Sequence, residues 1–351
     1  MEKLLDASIS WTEWGDGSSF PILLDELPPV TLPPRMSIRK VNLQVQPKPK
    51  SVRVVVNPAP SRRIPLLAIL NQAFRGAGIE WDISITHGTG DGSRLAREAV
   101  EAGAEVVAVY GGDGTVMEVA SGLIGTETPL LILGGGTGNL VASELRLPTS
   151  LERACELVCG ETYRTRHIDA GMIGDRPFLL RLGCGVEVGV VEEATRELKD
   201  QFGKWAYVFA GIKMLQEIPE ADYRIVIDGG EPFESSGVAC VVANAGTVGV
   251  GRLTLAPSVD VHDGRLDVFL LKKANIEGIV QLARKMMGLE RLRRTEEEQA
   301  VLDASQLITH WSVETVSIET DPILPIQVDG DVVAETPQFI RGLPSALRVV
   351  V

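Results

Sequence analysis

Three consecutive segments constrain the fold more than any other part of the chain: Val106-Val107-Ala108-Val109-Tyr110, Gly111-Gly112-Asp113-Gly114-Thr115, and Val116 to Ile124. The first is apolar without a polar break, the pattern of a strand buried on both faces. A glycine-rich turn with one carboxylate and one hydroxyl follows, and then Val116, Val119, Ala120 and Leu123 recur at helical spacing. This order predicts a strand, a tight turn and a helix N-terminus. Glycine lets the backbone turn sharply and approach a ligand closely, and the first helical N–H groups have no intrahelical acceptor. Such a corner suits phosphate. The chain repeats it with Leu130-Leu131-Ile132-Leu133, Gly134-Gly135-Gly136-Thr137-Gly138-Asn139 and Leu140 to Leu145. One corner alone serves equally for a turn that binds nothing. Two in consecutive units favour phosphate.

The surrounding chain fits a parallel sheet. Val52 to Val56 reads as a strand ending at Asn57-Pro58, and Pro65 to Ala77 as a helix closed by Gly78. Ile79 to Thr86 is a second strand and Ser93 to Ala102 a second helix closed by Gly103. After the two corners, Ser150 to Gly160 is a helix with Ser150 or Thr149 as N-cap. Strands alternating with helices imply helices on both faces of the sheet, with ligands at the carboxyl ends of the strands. Asn57, Thr86, Asp113 and Thr137 lie at such ends.

Near Tyr163 the rhythm changes. His167–Ile173, Arg176–Cys184, Tyr223–Ile227, Gly237–Asn244, Leu266–Leu271, Ser312–Glu319, Ile326–Asp329 and Leu347–Val351 read as strands. Turns such as Gly174-Asp175 and Asp228-Gly229-Gly230 separate many of them. Helical segments interrupt near Glu187–Met214 and Ile276–Arg294. The fold expected is α/β: an N-terminal parallel-sheet nucleotide-binding domain at 51–164, then an antiparallel β-sandwich domain at 165–351. Residues 1–50, punctuated by Pro28-Pro29 and Pro33-Pro34, read as an irregular extension of unknown role.

Bulk properties exclude several classes. A net charge of −13 argues against wholesale nucleic-acid binding, and against adsorption of the whole surface to an anionic membrane. No apolar run reaches the ~20 residues of a membrane span, and Met1 to Asp6 lacks the apolar core of a signal peptide. Cys155, Cys159, Cys184 and Cys240 form no disulfide-dense framework, so a reducing cytoplasm is expected. The segment Ile276 to Arg294 is amphipathic with a local basic excess, which suits either a core cover or contact with a membrane surface.

Asp113 is the first candidate for chemistry. A carboxylate within a phosphate corner repels the ligand unless it holds Mg²⁺ on the phosphates or steers an incoming hydroxyl. Its structural alternative is a helix cap. Asp329-Gly330-Asp331 is a weaker signal, since Asp-Gly is a common hairpin turn. Asp260, Asp263 and Asp267 place carboxylates within one turn region, a candidate site for a hard cation. Cys155 and Cys159, four residues apart, suit a core. The histidines form no metal or triad pattern, and Gly134 to Asn139 departs from the dinucleotide fingerprint.

In this combination the residues resemble the catalytic domain of diacylglycerol kinases, a superfamily that includes bacterial lipid kinases and sphingosine kinases. The resemblance runs from 51 to 351: Asn57-Pro58, Thr86, Gly111-Gly112-Asp113-Gly114-Thr115 with Glu118, Gly136-Thr137-Gly138-Asn139, Asn244-Ala245-Gly246, Pro257, Asp263-Gly264-Arg265-Leu266-Asp267 and Asp329-Gly330 occur in the family's order. It implies an active site in the cleft between the two domains, and transfer of the γ-phosphoryl group of ATP to a lipid hydroxyl with Mg²⁺. By the same resemblance, Thr86, the segment Gly112, Asp113, Gly114, Thr115 to Glu118, and Thr137 contact ATP, with Asn57 and Asn139 in the same nucleotide set. Asp263 binds a structural Mg²⁺ with the main-chain carbonyls of Asp260 and Arg265, Asp331 is the general base, and Glu187 meets the lipid head group. The implied partners are ATP and a membrane-derived lipid of diacylglycerol or sphingoid-base type, met by peripheral contact at the inner face of the membrane. A homo-oligomer is left open.

The chain departs from the family pattern at several positions. Asp331 stands where Glu is usual, Met117 where Asn is frequent, and Leu140 where Asp is frequent. Ala59-Pro60-Ser61-Arg62-Arg63 replaces a glycine-rich continuation, from which Arg62 or Arg63 could meet phosphate. Two alternatives stand beside the lipid kinase: a kinase of a soluble acceptor, as in NAD kinases, and a non-catalytic nucleotide- or lipid-binding protein.

Overall fold

The computed structural model describes residues 43–59, 64–185, 219–246, 259–272, 308–328 and 331–351. Outside these fall Glu187, Pro257, Asp329-Gly330, Arg62, Arg63 and the expected helical segments near 187–214 and 276–294.

β1 (Gln44–Pro47) and β2 (Ser51–Val56) are followed by α1 (Leu66–Gly76), β3 (Glu80–Ile85), α2 (Asp91–Glu101), β4 (Val106–Gly111), α3 (Asp113–Leu123), β5 (Leu130–Gly134), α4 (Leu140–Glu144) and α5 (Leu151–Glu156). Each expected strand–helix alternation of this half is present. Gly78 and Gly103 follow their helices with φ of 73° and 79°, a left-handed exit that glycine adopts without a Cβ clash. Ser150 caps α5, its Oγ accepting the amide of Arg153 at 3.3 Å. Alternate residues of the apolar strands enter opposite cores. Val54, Val56, Ala108 and Leu131 pack with Leu70 and Phe74 of α1, while Val55, Val107, Val109 and Ile132 pack with Val119 and Leu123 of α3. That two-faced burial explains why these strands carry no polar alternation.

β2, β3, β4 and β5 pair in parallel in the order β3-β2-β4-β5. The chain steps from β2 outward to β3, then returns to the other side of β2 with β4. The strand order therefore reverses between β2 and β4, and in such sheets ligands bind in the crevice beyond the carboxyl ends at that point. Asn57 follows the end of β2 and Gly111 ends β4.

The second half comprises β6 (Thr162–Ile173), β7 (Arg176–Phe178), β8 (Arg181–Cys184), β9 (Ala221–Ile227), β10 (Phe233–Gly237), β11 (Ala239–Ala243) and β12 (Leu266–Leu271). It ends with β13 (Ile308–Val313), β14 (Thr315–Asp321), β15 (Pro325–Val328), β16 (Asp331–Glu335) and β17 (Gln338–Val350). β10-β9-β14-β17 continue the first sheet, because the end of β17 lies parallel to β5, pairing Val349 with Leu130. A second sheet runs β13-β12-β11-β8-β15-β16. Tyr223, Ile225, Val316 and Ile340 of the first sheet share a core with Leu182, Val242, Val268 and Ile326 of the second, the packing of a β-sandwich.

Several strands differ from the expected runs. Ser312 to Glu319 is divided at Glu314, where the chain passes from the second sheet into the first. Asp228 pins that crossing, its Oδ1 accepting the amides of Glu314 and Thr315 at 2.8 and 2.7 Å. Arg176 to Cys184 divides likewise into β7 and β8. β17 reaches back to Gln338 through a bulge between Leu343 and Leu347, with Ser345 at φ 52°. Among the described residues no helix is long and apolar enough to cross a membrane. All four cysteines are free. Cys155 is buried and Cys159 half-buried, and its thiol donates to the Cys155 carbonyl at 3.1 Å.

Candidate active site

The two glycine corners touch. Gly111 and Gly134 are directly paired on β4 and β5, and the amide of Gly135 donates to the Gly111 carbonyl at 3.0 Å. A Cβ built on Gly136 would lie 2.6 Å from the Gly112 Cα, so the two backbones meet at a distance only glycine permits. Gly112 is the N-cap of α3 and has no side chain to offer. The first intrahelical bond runs from the Val116 amide to the Gly112 carbonyl, which leaves the earlier amides of the turn at the corner. Gly114, Thr137 and Gly138 are exposed there.

The other side chains of the corner brace it. Asn57 Nδ2 donates to Thr115 Oγ1 at 3.0 Å, and its Oδ1 accepts the Ala59 amide at 3.0 Å. Thr115 is buried beneath Gly111, where a Cβ would come within 2.6 Å of the threonine Cβ. Asn139, at φ 49°, accepts the Gly136 amide at 3.0 Å and donates to the Gly136 carbonyl at 2.9 Å, closing the second corner on itself. Met117 packs against both the parallel-sheet core and the sandwich core, so an apolar residue suits that position.

Asp113 stands between the corners. Its Oδ1 accepts the Val141 amide of α4 at 3.3 Å, and a Cβ on Gly138 would lie 2.9 Å from its Oδ2. Burial pushes the carboxyl above the ordinary aspartate range. The amides of Val141, Leu140 and Asn139 pull it back without cancelling that effect. Thr86 is buried at the end of β3, its amide donating to the Val56 carbonyl at 2.9 Å. Glu118 turns to α2 and accepts the amides of Gly90 and Gly92.

The remaining candidates lie in the second half. Asp260 accepts the His262 amide at 3.1 Å, and Asp263 Oδ1 accepts the Arg265 amide at 2.9 Å. The Arg265 guanidinium binds Asp228 at 3.1 Å, Glu314 at 3.2 Å and the Ser312 carbonyl at 2.7 Å, so its side chain serves the sandwich. Burial first, and then the charges of Asp267, Asp260 and Asp169, push the Asp263 carboxyl up. A divalent cation would relieve that excess of negative charge, and the oxygen-only donors of this turn fit Mg²⁺. Among the described residues, no three or more His, Cys, Asp or Glu side chains form a metal cage. Asp331 opens β16 at the edge of the second sheet. Its exposed carboxylate pairs with Arg176 at 3.3 Å.

Two features were not singled out in the sequence. Asp169, 4% exposed, accepts the Gly264 and Ser345 amides at 2.7 Å each and so ties the Asp263 turn to the bulge of β17. The loop Thr86-His87-Gly88-Thr89-Gly90-Asp91-Gly92 is a third glycine-rich corner, signalled by glycine at every second position.

Residues 51–173 match the diacylglycerol kinase catalytic domain family, and residues 181–351 match the YegS C-terminal NAD kinase beta sandwich-like domain family. A diacylglycerol kinase of Bacillus subtilis is 27% identical over 287 residues, a match spanning 80% of this chain and 90% of that protein. An uncharacterised protein of Synechocystis is 31% identical over 247 residues, spanning 70% of this chain and 55% of that protein. The crystal structure of a diacylglycerol kinase from Bacillus anthracis superposes with a TM-score of 0.63 at 23% identity, covering 86% of this chain and 97% of that one. The ordered motifs, the paired glycine corners and both halves of the fold agree: the chain belongs to the diacylglycerol kinase catalytic-domain family of lipid kinases.

Proposed function

We propose that the protein transfers the γ-phosphoryl group of ATP to a lipid hydroxyl of diacylglycerol or sphingoid-base type, in a Mg²⁺-dependent reaction. The observation that carries this reading is the contact of two glycine corners at the carboxyl ends of β4 and β5, next to the reversal point of the sheet, with Asp113 set between them. Main-chain amides of the α3 corner bind the phosphates, and the exposed Thr137 lies on the same ligand side. Asn57, Thr115 and Asn139 hold the corners in shape. Asp113 orients the acceptor hydroxyl or a metal on the phosphates. Asp331 accepts the hydroxyl proton as the acceptor oxygen bonds to phosphorus and the bond to the bridging oxygen breaks, releasing ADP. Mg²⁺, when bound, would neutralise phosphate charge, and Asp263 with the carbonyls of Asp260 and Arg265 would hold a second ion. Phosphoryl transfer asks mainly for positioning and charge stabilisation, which this set provides.

Incubation with γ-labelled ATP and an extracted lipid mixture is expected to move label into the organic phase. Label confined to a water-soluble product would favour the soluble acceptor, and no transfer to either class would favour the non-catalytic reading. Asp331→Ala is expected to lower turnover by about 10²–10⁴-fold, the range of a lost general base, with ATP affinity unchanged. An unaltered rate would remove Asp331 from the mechanism.

The Asp263 turn gives a stability test. A carboxyl whose folded pKa is raised stabilises the fold while protonated, and that contribution is lost as pH rises through the folded value. Without divalent cation, Asp263→Asn is therefore expected to melt no lower than the parent at neutral pH. Millimolar MgCl₂ should raise the parent's melting temperature and leave the variant's unchanged. Equal responses in both proteins would place the ion elsewhere.

A further inference from the structure

Both oxygens of Glu118 are engaged by main chain. From the second turn of α3, Oε1 accepts the Gly90 amide and Oε2 the Gly92 amide, each at 2.9 Å. These amides belong to the third glycine-rich corner, Thr86 to Gly92, between β3 and the first turn of α2. Asp91 closes the corner internally, its Oδ2 accepting the amides of His87 at 2.7 Å and Gly88 at 3.1 Å. The Arg94 guanidinium, and then the His87 amide, hold the Asp91 carboxyl down at about 2. The helices are in close contact along this line. A Cβ on Gly92 would lie 2.7 Å from the Glu118 Cβ, and one on Gly122 would lie 2.5 Å from the Ser93 carbonyl oxygen. Glu118 sits on the helix whose first turn forms the Gly112–Thr115 corner. One rigid element therefore carries the α3 corner at its start and a grip on the Thr86 loop one turn later.

We infer that Glu118 is a positioning residue: it aligns the Thr86–Gly92 loop with the α3 corner for the nucleotide and does not itself touch the nucleotide. The inference rests on the nucleotide reading above and reassigns one residue within it. Glutamine at this position can accept from one amide only and turns its own N–H₂ against the other. Glu118→Gln is expected to raise the KM for ATP by about 10–100-fold, the equivalent of one lost charge-assisted hydrogen bond. Its kcat is expected to stay within about threefold, since the chemistry is made by other groups. Amide hydrogen exchange at 86–92 should accelerate in the nucleotide-free variant.

Gly92→Ala provides a second route without altering any charge: the added methyl would stand 2.7 Å from the Glu118 Cβ, which is fixed to the α3 backbone, so the start of α2 and the loop before it must draw away from α3. It is expected to give the same KM-directed change, and it carries the test should the glutamine variant not fold. A collapse of kcat with KM unchanged would make Glu118 part of the chemistry and overturn the inference. Faster exchange with KM unchanged would show that the loop's placement is irrelevant to ATP, which overturns it equally. Saturable ATP use by the parent separates both outcomes from failure of the nucleotide reading itself, which would remove the basis of the inference.

Discussion

Asp113→Asn is expected to lose about 10²–10⁴-fold in turnover, the range for removing a positioned acid–base or electrostatic group, while binding ADP within a few-fold of the parent. The substitution keeps the shape and retains an oxygen for the Val141 amide, so α4 stays capped. What it removes is the charge. Burial holds the Asp113 carboxyl above the ordinary aspartate range, so its protonated form stabilises the folded chain and its ionisation works against folding as pH rises through the folded pKa. The variant should therefore melt no lower than the parent at neutral pH, and any advantage should vanish below the carboxylate range. Activity should run the other way: an acid limb in the parent's kcat/KM profile above the ordinary aspartate range, absent from the residual activity of the variant. If the charge served α4 and not the chemistry, the variant would show the opposite, a lower melting temperature and near-normal turnover. That result would reduce Asp113 to a cap of α4.

Gly136→Ala should have the second large effect, for a different reason. The new Cβ would stand 2.6 Å from the Gly112 Cα, a backbone atom that cannot rotate out of the way. The two corners must part, at a cost of about 1–3 kcal/mol typical of an overpacked site, and nucleotide affinity should fall with them. Gly114→Ala is the control. Nothing lies within 4 Å of its added methyl, and alanine favours a helix over glycine by about 1 kcal/mol, so stability should hold or rise. Because Gly114 is exposed at the ligand side of the corner, affinity should nevertheless drop. Loss of stability and affinity together at Gly136, but of affinity alone at Gly114, would separate corner-to-corner contact from ligand contact. Calorimetric titration with ADP and thermal melts of both variants supply the comparison.

The parallel half of the fold was legible because each signal there is local. Apolar runs such as Val106–Val109 mark buried strands, and Gly78 and Gly103 mark helix ends. The sandwich was legible in kind but not in its edges. Phe233-Glu234-Ser235-Ser236-Gly237 has too few apolar residues to read as a strand, yet β10 forms because β9 pairs along it. The last strand reads as Leu347–Val351 alone, whereas β17 runs from Gln338 and carries Pro344 and Ser345 in a bulge between Leu343 and Leu347. In the site, the glycines announced the corners, but spacing alone does not say which way a polar side chain turns. The resemblance implies ligand contacts for Asn57, Thr115, Asn139 and Glu118, and in the ligand-free structure each hydrogen-bonds or packs against neighbouring loops and side chains. Asp169 gives no sequence signal because its amide partners, Gly264 and Ser345, are 95 and 176 residues distant in the chain, and a lone acid within a strand has no periodic signature.

Titration calorimetry of the full chain with ATP and with ADP, in the presence of MgCl₂, tests most directly whether the paired corners hold a nucleotide. Saturable one-to-one binding to the parent, weakened in Gly136→Ala and preserved in Asp113→Asn, is the predicted result. No binding of either nucleotide to a folded parent would contradict it, as would binding that is indifferent to Gly136→Ala.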